Sequence, residues 1–209
     1  MIQHLLVAGA KISWRKPPTL GSPNDGAIQP STNPANAMIF LGSTRDQPRG
    51  LFSRLFRPAP SGYRVPENTP VPHTWLDYIS GRTAFLAQGS DVLTGFMSGC
   101  LIARGTYNGA MSVFHMGTTQ DQEVTRLVKT GFRTDLPGDT TGFYPAAAWS
   151  DNERVGTGQY TEVIALVTSS GSFFSILLCR PMHLYNEWTV GGIKQVPPLN
   201  RTRIMAKLM

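Results

Sequence analysis

The chain has 209 residues, 41% hydrophobic and 15% charged; this length holds one large domain, or one domain and a tail, and the balance excludes a mostly disordered protein. Twenty-one glycines and 16 prolines exclude a coiled coil or long helical bundle, and no run approaches the roughly 18 uncharged apolar residues of a membrane-spanning helix. The net charge is +6, and all of it lies in residues 1–66, with eight basic and two acidic groups, whereas residues 67–209 balance 11 against 11.

Residues 1–66 read as a basic, Pro-rich, partly flexible leader carrying nine of the 16 prolines. Met1–Ala10 is mildly apolar but lacks a basic start and has a short apolar run, which makes a poor secretory signal. Lys16–Pro34 is breaker-rich and aperiodic, hence loop or linker. Ala37–Gly42 (AMIFLG) has strand character, and Ser53–Pro58 (SRLFRP) mixes Arg with Leu and Phe in a way that suits contact with a surface or partner. Basic segments point to nucleic acid or acidic membranes. The neutral remainder lacks an interleaved basic–aromatic patch, which weighs against nucleic acid. The leader is therefore assigned to delivery, membrane proximity or partner docking.

Residues 67–209 read as the folded domain. Trp75–Ile79 and Thr83–Ala87 suit strands or a short helix, and Asp91–Phe96 is ambiguous. Leu101–Arg104 and Ala110–Met116 read as paired strands. Gln122–Thr130 is the best helix, with Asp121 and Glu123 at the end where carboxylates complement the dipole. Arg133–Pro145 reads as loop, and the aromatics of 134–149 suit either substrate contact or the core. Tyr160–Thr168 and Phe173–Cys179 are the clearest strands, rich in β-branched and aromatic residues, joined by a hairpin connection at 169–172. His183–Val190 is a further strand candidate. The pattern predicts an α+β fold, a central β-sandwich of mixed sheets flanked by a few helices and long loops.

Two cysteines permit one disulfide but no framework, and Cys179 reads as a small buried hydrophobe. Cys100 has a different setting. Asn108-Gly109 is a turn signal between strands. A four-residue loop over 106–109 sets Cys100 opposite His115; a two-residue loop sets it diagonal to His115. Both registers put the two side chains on one face, with Cβ atoms roughly 5 Å apart if opposed and under about 8 Å if diagonal. Ile102, Met111 and Val113 share that face, and Leu101, Ala103 and Phe114 fill the other. A structural pair fits this spacing, and so does a catalytic one. An imidazole can take a thiol's proton and leave a nucleophilic thiolate. Ser98 and Gly99 add little bulk beside the sulfur, and the main-chain N–H groups of Gly99 and Cys100 suit an oxyanion hole. His4, His73 and His183 are scattered, with no metal-ligand spacing, and Gly191-Gly192 lacks a phosphate-loop context.

The stretch Phe-Met-Ser-Gly-Cys ending at Cys100, with His115 fifteen residues on in Phe-His-Met-Gly-Thr, resembles the cytotoxic necrotizing factor and Burkholderia lethal factor family of cysteine-dependent glutamine deamidases. Met97 replaces the Leu of that family's Leu-Ser-Gly-Cys signature. The resemblance covers residues 90–120 by motif and the body, 67–209, by architecture, and implies that 67–209 is the catalytic deamidase domain. It implies Cys100 as nucleophile and His115 as general acid and base. His115 would be oriented by Thr94, six residues before the cysteine, or by a main-chain carbonyl. It implies a toxin or effector, secreted or injected into host cytosol, that converts a host-protein glutamine to glutamate without metal or cofactor and acts as a monomer. The target would be a Rho-family GTPase or, alternatively, a translation initiation helicase, and an amine in place of water would give transglutamination. The rival readings are a cysteine protease, which would normally place its Cys at a helix N-terminus, a non-enzymatic basic binding module and a purely structural β-domain.

Overall fold

A computed structural model describes residues 2–4, 6, 8–13, 28–30, 36–42, 69–154, 159–181 and 187–209. In chain order the strands are β1 (Lys11–Ser13), β2 (Ile28–Pro30), β3 (Asn36–Gly42), β4 (Thr69–Leu76), β5 (Thr83–Ala87), β6 (Val92–Met97), β7 (Leu101–Tyr107), β8 (Ala110–Met116), β9 (Thr141–Phe143), β10 (Gln159–Val167), β11 (Phe173–Pro181), β12 (Glu187–Gln195) and β13 (Leu199–Asn200). The α-helices are α1 (Gln122–Asp135), α2 (Asp151–Arg154) and α3 (Arg201–Leu208).

Two sheets pack face to face, an α+β sandwich. From β4 onward the first runs β12-β11-β10-β6-β4 and is mixed, because β4 and β6 are parallel. The second runs β13-β9-β7-β8-β5 and is antiparallel. The described parts of the first 66 residues join both sheets. β1 pairs with β12 and β3, which closes the first sheet on itself, and β2 adds to the edge of the second in parallel with β5. The rest of the leader, including Ser53–Pro58, lies outside the described residues.

Three apolar clusters hold these layers. Leu76, Ala84, Val92, Ile102, Val113, Val163 and Leu177 meet between the sheets. Leu93, Ile164, Ile176 and Trp188 fill the opposite face of the first sheet. Leu101, Ala103, Phe114 and Met116, on the outer face of the second, are covered by Val128 and Phe132 of α1 and Ile204 and Leu208 of α3. Residues 101–103 of β7 and 112–116 of β8 are thus buried on both faces, so this half of the hairpin lacks polar alternation.

The structure corrects some boundaries. α1 runs five residues past Thr130, through Gly131, and claims the start of the expected loop. Phe132 and Leu136 are buried there, and their burial outweighs the roughly 1 kcal/mol that an interior glycine costs. Asp121 caps α1 by accepting hydrogen bonds from the Glu123 and Val124 N–H groups. The remainder of the expected loop holds β9 and a 3-10 turn, Pro145–Ala148. Phe143 and Trp149 are core residues, and Trp149 Nε1 donates to Ser175 Oγ at 2.7 Å. β12 is described from Glu187 and continues past the expected Val190, through Gly191-Gly192, to Gln195; residues 183–186 of the expected strand lie outside the described residues. α3 had no expected counterpart; Asn200 caps it, accepting from the Arg203 N–H.

The chain after β8 is clasped by the turn that precedes β5. Gly81 N–H donates to the Gly117 carbonyl at 2.9 Å, and Gly117 N–H to the Arg82 carbonyl at 2.8 Å. A Cβ on Gly117 would lie 2.0 Å from the Ile79 carbonyl oxygen, so the contact needs glycine. Gly117→Ala is expected to destabilise the fold by about 3 kcal/mol or more, because backbone rather than a flexible side chain must give way. Urea denaturation checks this.

Candidate active site

The β7–β8 hairpin turns through two residues, Asn108 at φ 50° and Gly109 at φ 78°, so Tyr107 pairs with Ala110 and Ile102 with His115. Of the two registers the turn allowed, this one sets Cys100 diagonal to His115. Cys100 sits just before β7 and packs in the inter-sheet cluster with Ile102 and Val113. His115 lies in the middle of the second sheet, flanked by Ala84 of β5 and Ile102 of β7. Its imidazole is wholly buried.

Thr94 comes from the other layer. It lies on β6, opposite Leu76 of β4 and Ala165 of β10, and is also fully buried. Its Oγ1 is 2.6 Å from His115 Nδ1, so one hydrogen bond crosses the sandwich and fixes the ring. Nε2, the other ring nitrogen, is buried and makes no hydrogen bond with the described residues. Such a group costs roughly 1–3 kcal/mol and calls for an explanation. Burial lowers the His115 pKa from 6.5 to about 3, so the ring is neutral at physiological pH.

Thr94→Val keeps the shape and removes the hydroxyl, which leaves both ring nitrogens without partners. The expected loss is about 1–3 kcal/mol of stability, read by urea denaturation; an unchanged midpoint would mean that the bond does not hold the ring.

Cys100 and His115 are not joined by a hydrogen bond. The Cys100 thiol instead faces Thr118, whose Oγ1 is 3.8 Å from Sγ. Burial pushes the Cys100 pKa up, while hydrogen bonds from the Thr118 side chain and from the main chain at Thr118 and Gly99 pull it down; the net shift is upward. The resting pair is therefore a thiol and a neutral imidazole, not a thiolate and an imidazolium. Cys100 is 4% exposed. Ser98 and Gly99 are exposed in the turn ahead of it, and a Cβ on Gly99 would meet nothing within 4 Å. Packing thus leaves room above the turn.

Sequence reasoning did not single out Tyr78 or Thr118. The Tyr78 ring lies 5.3 Å from the imidazole, centroid to centroid, and its hydroxyl donates to the Thr118 carbonyl at 3.0 Å. Thr118 follows His115 by three residues, a hint of proximity; nothing in the sequence marks Tyr78. Of the other histidines, His4 is exposed and His73 buried. Among the described residues, no three His, Cys, Asp or Glu side chains are grouped to hold a metal ion. Cys179 is buried and unbridged, its pKa pushed up to about 11 by burial.

No family model matches the chain, and no curated protein matches it. Among solved structures, the C-terminal domain of CNFy from Yersinia pseudotuberculosis is weakly similar, with a TM-score of 0.25 and 9% identity over 64% of this chain. The chain spans 64% of that structure's length.

Proposed function

We propose that this protein is a protein-glutamine deamidase of the Cys–His type, a toxin or effector acting on a host protein. The observation that carries the reading is His115: a wholly buried imidazole, one nitrogen fixed by Thr94, the other unpartnered, on the face that Cys100 also occupies. The Ser-Gly-Cys motif and its interval to His115 add the substrate class.

In this reading His115 Nδ1–H donates to Thr94 Oγ1, which leaves the Nε2 lone pair as the base. Because the resting site is closed, the exposed Ser98–Gly99 turn moves aside as a glutamine enters, and the thiol proton turns to His115 while Thr118 Oγ1 stays beside the sulfur; catalytic hydrogen bonds often tighten only with substrate bound. Cys100 Sγ attacks the side-chain carbonyl carbon while Nε2 takes the thiol proton. The Gly99 and Cys100 N–H groups receive the developing oxyanion. The C–N bond breaks, His115 returns the proton to nitrogen, and ammonia leaves a thioester. Water attacks the thioester, His115 takes its proton, and C–S cleavage restores the thiol and releases glutamate. An amine in place of water gives transglutamination. Cys100 leads into a strand, unlike a papain-like cysteine at a helix N-terminus.

The target is assigned to a Rho-family GTPase, with a translation initiation helicase as the alternative, and the site of action to host cytosol; both assignments rest on the motif. Incubation with host lysate is expected to add about 1 Da, the mass difference of an amide hydrolysed to an acid, to a glutamine-containing peptide. Cys100→Ser should abolish the shift. A shift that persists in the variant, or peptide cleavage in its place, overturns the assignment.

A further inference from the structure

We propose that Tyr78 and Thr118 form a clasp that positions the Cys100 thiol. Three contacts on one short segment support it. The Tyr78 ring packs on the His115 imidazole, the Tyr78 hydroxyl pins the Thr118 carbonyl, and the Thr118 hydroxyl faces Cys100 Sγ. The segment has little freedom to drift, because Gly117 is wedged between the Ile79 and Arg82 carbonyls. Tyr78 thus touches the base directly and the nucleophile through Thr118, and one side chain sets the spacing of both. Burial raises the pKa of the half-buried Tyr78 phenol, a hydrogen bond with Ser80 lowers it, and the proximity of a charged Cys100 raises it further.

The Thr118 hydroxyl has a second consequence. A hydroxyl donated to sulfur favours the thiolate over the thiol. Thr118 is therefore a positioning residue that also eases deprotonation of a thiol whose burial resists it, and Tyr78 keeps that hydroxyl in place. The use of the clasp rests on the deamidase reading; its existence does not, and the test separates the two.

The test follows alkylation of Cys100 by iodoacetamide in the full chain over about pH 6 to 10, with peptide mapping to distinguish Cys100 from Cys179. Thr118→Val is expected to move the midpoint of the pH–rate profile upward and to slow labelling below the midpoint about three-fold, the size of one modest hydrogen bond. Thr118→Ser should restore the wild-type profile. Tyr78→Phe keeps the ring against His115 and frees the carbonyl, so it should shift the midpoint the same way. If Tyr78→Phe fails to fold, the Val and Ser pair decides alone. A folded Thr118→Val protein with the wild-type profile, or with a lowered midpoint, overturns the clasp. A shifted profile in a protein that deamidates no glutamine upholds the clasp and removes the deamidase reading.

Discussion

Under the proposed deamidase reading, Cys100→Ala, His115→Gln and the double variant are expected to lose deamidation alike, each by about four orders of magnitude. The equality is the informative part. At rest the thiol is protonated and the imidazole neutral, so neither reacts alone. A thiol without its base stays a thiol in a buried site, and the base without the thiol has nothing to activate. Residues that act as one unit give losses that do not multiply. Turnover of a target-derived glutamine peptide by the four proteins, each shown to be folded by circular dichroism, measures this. Multiplicative losses would mean that Cys100 and His115 act in separate steps or not in catalysis.

His115 should also make the fold acid-sensitive. Its pKa falls from 6.5 to about 3 on folding. Between these values the unfolded chain binds a proton that the native protein does not, so stability rises with pH across the window and is lost as pH falls. One proton corresponds to a slope of about 1.4 kcal/mol per pH unit, hence about 2 kcal/mol between roughly pH 6 and 4.5. Urea denaturation of wild type and His115→Gln across this range isolates the effect. The glutamine cannot titrate, so the difference between the two proteins should shrink steadily toward acid. A constant difference would show that the imidazole charges freely in the native state.

The site was legible in the sequence to the extent that it is local. Asn108-Gly109 set the parity that puts Cys100 and His115 on one face, and parity survives either loop length. Even so, only the structure selects the two-residue loop and the diagonal arrangement. Thr94 is a different case. Its partner lies 21 residues away on the other sheet, and no periodicity reports which inward-facing hydroxyl will meet which ring across a sandwich; only the family resemblance named it. Tyr78 was invisible for the same reason. The depth of His115 was also unreadable, because a single histidine in an apolar strand fits a satisfied core position or a poised base. In the fold, the strongest strands were plain from their β-branched residues, whereas the end of α1 was obscured by Gly131. The pull of Phe132 and Leu136 on the helix exists only once the second sheet offers a surface to cover.

The hydrogen bond between Thr94 and His115 spans two layers that meet chiefly through apolar side chains. Apolar packing tolerates small slips and swaps of similar volume, whereas a 2.6 Å hydrogen bond does not. The site therefore acts as a gauge of the gap between the sheets. A remote change that thickens or thins the interlayer, at Leu86 or Phe173 for instance, can leave the fold intact and still detune the imidazole. Chemistry of this kind belongs to the spacing of the two layers as much as to the residues named in it.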